Sequence, residues 1–518
     1  MEYKNLTDII RNKAITHPLK TAIVFGGRKY TYRQTCQNAE AIGAILKRRG
    51  VQKKDKVALL LDNCADFVFC YFGILLAEAI IVPINHMFKR DEIKFILEDS
   101  ESTTLITSAA YAPLAQELNV IIPNLKNIIY TNQDTPEMLS LKKIAAEHTA
   151  SQQNIIYKKN EALEDEIAVF LYTSGTTGHP KAAQLSHKNL LSNVVSSSKT
   201  VQVTQNDTFI CFLPLFHSFA ATVCMLMPLY NSAKFIIMKS PKPVKKLLRT
   251  MRHNRVTIFT GIPSIYNIFK ELKIPKFIPK TLLRLFIPIR LCISGAAALP
   301  VEVFTKFEKK FGIPLLEGYG LTEASPVVSL NPLNGKRKPG SAGLPIPDVN
   351  IKIINEQNEE VENGQIGELC VQGPNVMKGY FKNEKETSET ILNGWLKTGD
   401  IAKKDLDGYL YIVDRKKDMV NVRGLNVYPR EIEEVLYQHP AIKEAAVIGV
   451  NDAHKGEVPK GFVVLRTQAS LNEHDIIKYL KEHLALYKIP KKIEIRDSLP
   501  KNASGKILKR ILAQEGKS

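Results

Sequence analysis

An alternation of strand-like and helix-like segments, starting near Lys56, constrains the fold of this chain more than any other feature. VALLLDN, IIVPIN and TTLITS are short apolar runs typical of buried strands, and ADFVFCYFGILLA and RDEIKFILED between them have helical length. Because parallel strands require crossover connections, the pattern predicts an α/β fold in which helices cover sheets of parallel strands. Further strand-like runs lie at 209–213, 234–238, 256–261 and 290–294.

The pattern changes twice in the second half of the chain. After Gly335, short strands with turn signals such as VNIKIINEQNE and GELCVQG predict a smaller β-rich subdomain. The run Asp414 to Asp418 carries charges without an apolar anchor and is interpreted as a linker, and an α+β pattern follows it. The sequence therefore predicts an N-terminal domain at 1–413, a linker at 414–418 and a C-terminal domain at 419–518.

Composition excludes some classes of protein. The 518 residues carry a net charge of +19, which suits nucleic acid, an anionic membrane or an anionic substrate. No helix-turn-helix, zinc or RNA-binding signature accompanies the charge, so nucleic acid is disfavoured. The seven cysteines form no C-x-x-C pair and are expected to be reduced core residues. A charged N-terminus and a longest apolar run of only Phe67 to Ala77 favour a cytoplasmic protein.

Two basic stretches raise the hypothesis of peripheral contact with an anionic membrane. In the first, Val244, Leu247, Leu248 and Met251 recur at helical spacing between cations. The second, KIPKFIPKTLLRLFIPIRL at 273–291, mixes bulky apolar groups with cations. Both could bind acidic headgroups, although packing of the apolar faces on the core is the favoured interpretation.

The stretch YTSGTTGHPK at 172–181 predicts an anion-binding loop. Its glycines allow backbone N–H groups to converge on an anion, and its hydroxyls and lysine supply further donors. The glycine spacing excludes a Walker A motif, and the apolar strand-like run from Ile167 to Leu171 favours an anion site over a polar surface loop. The predicted ligand residues are Thr173, Ser174, Gly175, Thr176, Thr177, Gly178 and Lys181.

Four other motifs place polar residues suited to nucleotide chemistry. GYGLTE offers Thr322 for a phosphate oxygen and Glu323 for Mg²⁺. GWLKTGD ends in Asp400, whose carboxylate could accept hydrogen bonds from ribose hydroxyls. DRKKD follows in the chain and places Arg415 near Asp400. LPKNASGK presents Lys506 on a Gly-Ser turn. Each motif alone could be a solvated loop, but the set in this order indicates a single enzyme site.

Taken together, YTSGTTGHPK, LPLFHSF, GYGLTE, GWLKTGD, DRKKDMVNVRGLNVYPREIE and PKNASGK resemble the AMP-forming acyl-CoA synthetases of the adenylate-forming superfamily. The resemblance runs from about Lys20 to Arg510. It implies a large N-terminal domain, a small mobile C-terminal lid, and ATP, Mg²⁺ and coenzyme A as reaction components. The implied reaction forms an acyl-adenylate and pyrophosphate, after which a thiol takes the acyl group.

The resemblance also implies roles for individual residues. The Ser/Thr/Gly loop would hold the β- and γ-phosphates, and Lys506 would bridge the substrate carboxylate and the α-phosphate. Thr322 would contact the α-phosphate, and Glu323 would bind magnesium. The implied hinge is Lys417, and Gly424 would face coenzyme A. The remaining implied nucleotide contacts are Gly295, Ala296, Ala297, Tyr319 and Gly320 for AMP, and Asp400 and Arg415 for the ribose.

Two motifs, LPLFHSF and TGIPSIY, bear on which class of carboxylic acid is the substrate. Amino-acid-activating relatives carry Asp where this chain has His217, so the resemblance implies an unsubstituted acid, with a core histidine as the alternative. Gly261 would leave room for an acyl chain. The residues of the motifs look most like those of medium- to long-chain fatty acid ligases, so the resemblance favours a medium- or long-chain fatty acid. Asn426 stands where some relatives have a basic residue. The alternatives are transfer to acyl carrier protein, a non-catalytic nucleotide-binding regulator and an oxygenating luciferase.

Overall fold

The protein is represented by a computed structural model. It describes residues 3–131, 164–174, 180–272, 288–422, 425–452, 456–467, 469–502 and 505–515. These residues form a mixed α/β fold with a large N-terminal domain and a smaller C-terminal domain, as the sequence predicts.

A nine-stranded sheet is central to the N-terminal domain. Its middle strands are parallel, and antiparallel pairs occupy both edges. The middle strands are rich in β-branched and aromatic residues and are buried on both faces, as parallel strands under helices must be. In sheet order the strands are Leu344–Pro345, Val327–Leu330, Leu315–Gly320, Leu291–Ser294, Ile258–Gly261, Thr208–Cys211, Lys234–Ile237, Thr21–Phe25 and Arg28–Thr31.

A six-stranded sheet contains the alternation that starts at Lys56. Five of its strands are joined by parallel pairings, and the last strand returns antiparallel. The helix Ala65–Leu76 is buried at every position except Asp66, which explains why its sequence is apolar all round. In sheet order the strands are Asn127–Thr131, Ser102–Ser108, Lys56–Leu60, Ile80–Pro83, Ile167–Ser174 and Pro180–Ser186.

Two five-stranded sheets complete the fold. The first is the predicted β-rich subdomain, and the second belongs to the C-terminal domain, which has a hydrophobic core of its own around Val420, Val447 and Val463. The strands of the first are Asn350–Ile354, Gly367–Gln372, Trp395–Lys404, Ile391–Leu392 and Leu410–Arg415. The strands of the second are Leu425–Val427, Val420–Val422, Gly456–Leu465, Ile442–Asp452 and Lys492–Ile495.

The helices pack over these sheets. Ala220–Leu226 adopts π-helical geometry and leads directly into the next helix, so this buried segment winds more loosely than its neighbours. The α-helices are Thr7–Thr16, Tyr32–Arg48, Ala65–Leu76, Arg90–Asp99, Ala112–Ile121, His187–Val201, Met227–Tyr230, Val244–Asn254, Pro263–Glu271, Val301–Phe311, Glu384–Thr390, Pro429–Gln438, Glu473–His483 and Lys509–Glu515. Short 3₁₀ turns are Ala109–Tyr111, Thr322–Ala324, Lys416–Asp418 and Leu486–Lys488.

The structure bears on three expectations from composition. All seven cysteines are free thiols, and six are buried. The basic helix Val244–Asn254 buries Leu247 and Met251, so its apolar face packs on the core, which was the favoured interpretation. Most of the second basic stretch lies outside the described residues. Within the described ranges, none of the helices has both the length and the apolar character needed to cross a membrane.

Candidate active site

Several of the predicted site residues lie where the parallel strands of the nine-stranded sheet end. The strand register places Gly261 beside Ser294, and Ser294 beside Glu317. Ligands of open α/β sheets bind outside this carboxyl edge. Gly295, Ala296 and Ala297 follow directly, and a side chain on Gly295 would come within 2.8 Å of the Phe219 ring. Glycine at this position therefore lets Phe219 pack against the loop.

Asp400 is the centre of a compact polar cluster. Only 3% of this residue is exposed. Its carboxylate accepts a hydrogen bond of 2.5 Å from the Tyr319 hydroxyl and lies 3.1 Å from the Arg415 Nε. Burial and the Asp400 charge raise the pKa of Tyr319 well above its usual range, so the phenol stays a donor. Arg415 lies directly opposite Asp400 in adjacent strands, which the separate motifs could not indicate.

Glu323 and Lys181 belong to a second cluster. The Tyr380 hydroxyl donates to Glu323 Oε1 at 3.0 Å, and the Lys181 ammonium lies 5.7 Å from the centre of the Tyr380 ring. Lys181 Nζ also lies 2.6 Å from Glu386 Oε1. Tyr380 and Glu386 are residues that the sequence reasoning missed. The segment KGYFKNEKE gives no local signal that it contacts Lys181 and Glu323.

The hairpin that carries the predicted phosphate loop is partly described. Thr173 and Ser174 end one strand, and Lys181 is the second residue of its antiparallel partner Pro180–Ser186, with Thr173 opposite Lys181. This places the loop at a strand end, as the apolar run ahead of it predicts. The predicted ligands Gly175, Thr176, Thr177 and Gly178 lie outside the described residues.

Thr322 lies beside Ser218, the residue that follows His217. The hydroxyls of Thr322 and Ser218 are 3.4 Å apart. His217 Nδ1 accepts the Phe219 backbone N–H at 3.3 Å, so this nitrogen carries no proton. Burial, and then the charge of Lys506, lower the pKa of His217 to about 4. His217 is therefore neutral at physiological pH.

Lys506 reaches this site from the C-terminal domain. Its tight turn is closed by Asn502, whose N–H donates to the Lys506 carbonyl at 2.9 Å and whose Oδ1 accepts the Lys506 N–H at 2.8 Å. Gly505 has a φ of 78°, and a side chain there would come within 2.4 Å of Ile262 Cδ1. The glycine thus permits both the left-handed turn and close contact with the N-terminal domain.

The charge of Lys506 is perturbed by its surroundings. The side chain is exposed to solvent, yet the protein around it removes part of its hydration. This desolvation, together with the nearby Arg415 cation, lowers the pKa of Lys506 to about 8, while Asp400 and Asp418 oppose the shift. Lys506 is therefore mainly a cation at neutral pH, with a titration within reach of mild alkali.

The predicted linker differs from a plain charged loop. The strand Leu410–Arg415 continues two residues into it, because Arg415 pairs with Asp400 across the sheet. Asp414 is buried and accepts the backbone N–H groups of Arg415 and Arg430, each at 2.8 Å. Lys417 lies in the 3₁₀ turn that follows. Gly424 lies outside the described residues.

Gly261 and Gly320 are both packed closely. A side chain at Gly261 would come within 3.0 Å of the Phe259 ring and 3.2 Å of the Tyr266 ring. On that side the space is filled by aromatic rings, and the role of Gly261 in an acyl pocket stays a prediction. A side chain at Gly320 would lie 2.2 Å from the Pro326 carbonyl oxygen, which explains the glycine there by packing.

Comparison with known proteins agrees with the residue pattern. Residues 10–381 match the family AMP-binding enzyme, and residues 431–506 match the AMP-binding enzyme C-terminal domain. The long-chain-fatty-acid–CoA ligase of Bacillus subtilis (strain 168) is 37% identical, with 99% of this chain and 94% of that protein covered. The enzyme of the same name from Escherichia coli O157:H7 is 34% identical, with 99% and 95% covered.

Among solved structures, ATP-bound MatB from Rhodopseudomonas palustris superposes with a TM-score of 0.90 at 30% identity, and 99% of each chain is covered. The resemblance to AMP-forming acyl-CoA synthetases and the α/β fold with a smaller C-terminal domain are thereby confirmed. The chain belongs to the AMP-binding enzyme family and is an AMP-forming acid–thiol ligase.

Proposed function

We propose that the protein activates a medium- or long-chain fatty acid with ATP and transfers the acyl group to the thiol of coenzyme A. The observation that carries the proposal is the position of Lys506, whose charge acts on His217 and on the Asp400–Arg415 pair at the carboxyl edge of the nine-stranded sheet. A cation at this position can interact with the carboxylate of an acid bound near His217 and with the phosphate of a nucleotide bound near Asp400. The names of the similar ligases support a fatty acid and coenzyme A as the substrates.

In the first half-reaction, a carboxylate oxygen of the acid attacks the α-phosphorus of ATP. The new bond forms acyl-AMP, and the bond to the bridging oxygen breaks to release pyrophosphate. Two anions must approach each other, and the Lys506 ammonium offsets their repulsion. Thr322 donates to the α-phosphate, and Asp400 and Arg415 bind the ribose. The adenine lies against the backbone of Gly295, Ala296 and Ala297 and stacks on Tyr319, and Gly320 is a further residue of the AMP site.

Glu323 fits a magnesium ion that is shared with ATP. Tyr380 holds the Glu323 carboxylate by one oxygen, so the carboxylate is oriented. Mg²⁺ prefers one or two carboxylates together with phosphate oxygens and water. Among the described residues, no cluster of three or more His, Cys, Asp or Glu side chains could form a metal site by itself, which is compatible with an ion bound largely by substrate. When bound, the ion would neutralise phosphate charge.

In the second half-reaction, the thiol sulfur attacks the acyl carbon and releases its proton to solvent, and AMP leaves with the electron pair of the broken carbon–oxygen bond. We propose that the C-terminal domain rotates about Lys417 between the two steps, which removes Lys506 and brings the face with Gly424 to the site. The domain bounds 1–413, 414–418 and 419–518 belong to this proposal. The cytoplasmic location and contact with anionic lipids stay predictions from composition.

The direct test is a mass-spectrometric assay of purified protein with ATP, Mg²⁺ and a series of fatty, aromatic and short acids. Each acid is tested with coenzyme A, with holo acyl carrier protein, and with neither. We expect acyl-CoA from medium- or long-chain acids. Thioester found only on the carrier would move the function to carrier loading, which the basic surface of the chain also suits. Product only from aromatic or short acids would refute the fatty-acid assignment.

The lowered pKa of Lys506 predicts a pH dependence of the first half-reaction. Only protonated Lys506 can neutralise the reacting anions, so kcat/KM for ATP should fall as pH rises through about 8, approaching tenfold per unit of pH above it. His217, with a pKa near 4, does not titrate in this range. The profile is measured from pH 6.5 to 10 by pyrophosphate release.

The matched control is Lys506→Arg, because an arginine keeps its charge throughout this range. The variant is expected to be slower at every pH and to lack the decline above pH 8. An equal decline in Lys506→Arg would assign the titration to another group.

A further inference from the structure

The C-terminal domain holds one helix of the N-terminal domain at both ends. The helix Pro263–Glu271 starts just after the strand that ends at Gly261. At its beginning, Gly505 of the Lys506 turn packs against Ile262. At its end, Arg466 Nη1 lies 2.9 Å from Glu271 Oε1. A helix of this length separates the two contacts by about 13 Å, so the two domains touch at two separate points along it.

Arg466 enters a charge network built on a buried lysine. Lys270 is only 2% exposed in its side chain and pairs with Glu302 Oε2 at 2.9 Å. Lys306 contacts the other oxygen of Glu302 at 2.6 Å, and Arg466 Nη2 approaches Glu302 at 3.9 Å. The network therefore contains three cations and the carboxylates of Glu271 and Glu302.

The two carboxylates depend on Arg466 to different degrees. Without it, Glu302 keeps both lysines, so the part of the network inside the N-terminal domain survives. Glu271 keeps Lys270 only at 4.0 Å. Glu271 is 62% exposed and Arg466 25% exposed, so their ion pair is solvated and modest in strength. A contact that can break without leaving a buried charge unpaired suits a domain that must leave and return.

We propose that Arg466 is a positioning residue for the first half-reaction: its ion pair with Glu271 and Glu302 favours the lid orientation in which Lys506 faces His217. The inference rests on the proposed two-step function. Arg466 is not among the residues proposed to bind the acid or ATP, and it acts by keeping the helix Pro263–Glu271 against the Lys506 turn. Because the second half-reaction requires another lid orientation, removal of Arg466 should affect the two steps differently.

The test measures each half-reaction separately. Arg466→Ala is expected to slow acyl-AMP formation about fivefold, the effect of losing one partly exposed ion pair. Transfer from supplied acyl-AMP to coenzyme A should be unchanged or faster. Arg496→Ala is the matched control, because Arg496 is 23% exposed and pairs with Glu515 inside the same domain. This control should leave the ratio of the two rates at the wild-type value.

Charge exchange tests the pair itself. Arg466→Glu and Glu271→Arg should each slow acyl-AMP formation about tenfold through repulsion, and the double variant should recover part of the rate, because Glu302 and Lys270 keep their original charges. Equal loss in both half-reactions, no loss in either, or no recovery in the double variant would overturn the positioning role. Wild-type protein that forms no acyl-AMP from any acid would instead refute the proposed function, and this role with it.

Discussion

Lys506→Ala should reduce the rate of acyl-AMP formation by at least about a hundredfold, because one preorganised charge contact in the transition state contributes about 3–4 kcal/mol. Transfer of the acyl group from supplied acyl-AMP to coenzyme A should stay near the wild-type rate, since the proposed lid rotation removes Lys506 from the site before that step. Single-turnover assays of each half-reaction, followed by mass spectrometry, measure both quantities.

A loss of acyl-AMP formation in Lys506→Ala can be distinguished from a loss of folding in two ways. The turn that carries Lys506 is held by backbone groups and by the Asn502 side chain, so truncation of the lysine side chain leaves its hydrogen bonds intact. Retained transfer activity would itself report a folded lid. Equal loss in both half-reactions, with an unchanged unfolding temperature, would contradict the two-orientation account.

Asp400→Ala is expected to raise the KM for ATP about a hundredfold, because a carboxylate that accepts two ribose hydroxyls contributes about 1.5–3 kcal/mol for each hydrogen bond. The Tyr319 hydroxyl and the Arg415 guanidinium both pair with this buried carboxylate, so its removal also leaves these two groups without their partner and weakens ATP binding further. ATP titrations at saturating acid, with unfolding temperatures measured in parallel, separate the binding defect from instability.

Two matched variants separate the contribution of the Asp400 charge to the KM for ATP from that of its hydrogen bond with Tyr319. Asp400→Asn keeps the shape but loses the charge that faces Arg415, so it should be intermediate. Tyr319→Phe removes only the hydroxyl that donates to Asp400 and should raise the KM severalfold. An unchanged KM for ATP in Asp400→Ala would remove Asp400 from the nucleotide site.

Much of the architecture could be predicted because the signal is local. A short run of β-branched residues such as IIVPIN is typical of a strand inside a sheet, and its strand Ile80–Pro83 is buried at all four positions. The end of a strand is less predictable. Arg415 is a charged residue in a charged run, and only its partner Asp400, far away in sequence, keeps it in the strand. The same limit explains why Asp414, which is buried, was assigned to a linker.

In the candidate site, too, local features could be predicted from the sequence and long-range contacts could not. Motifs with their own turn chemistry, such as the Gly505–Lys506 turn, can be recognised from their residues. Partners from other elements cannot be, because no periodicity connects Lys181 with Glu386 or Glu271 with Arg466. These contacts come from tertiary packing and need coordinates.

The salt bridge between Lys181 and Glu386 gives the lysine ammonium an internal counterion. Under the proposed role of Lys181, the phosphates of ATP would have to displace the Glu386 carboxylate before they could pair with the ammonium. A lysine neutralised in this way would attract a small anion such as chloride only weakly. The proposed site would therefore favour a ligand that carries several negative charges.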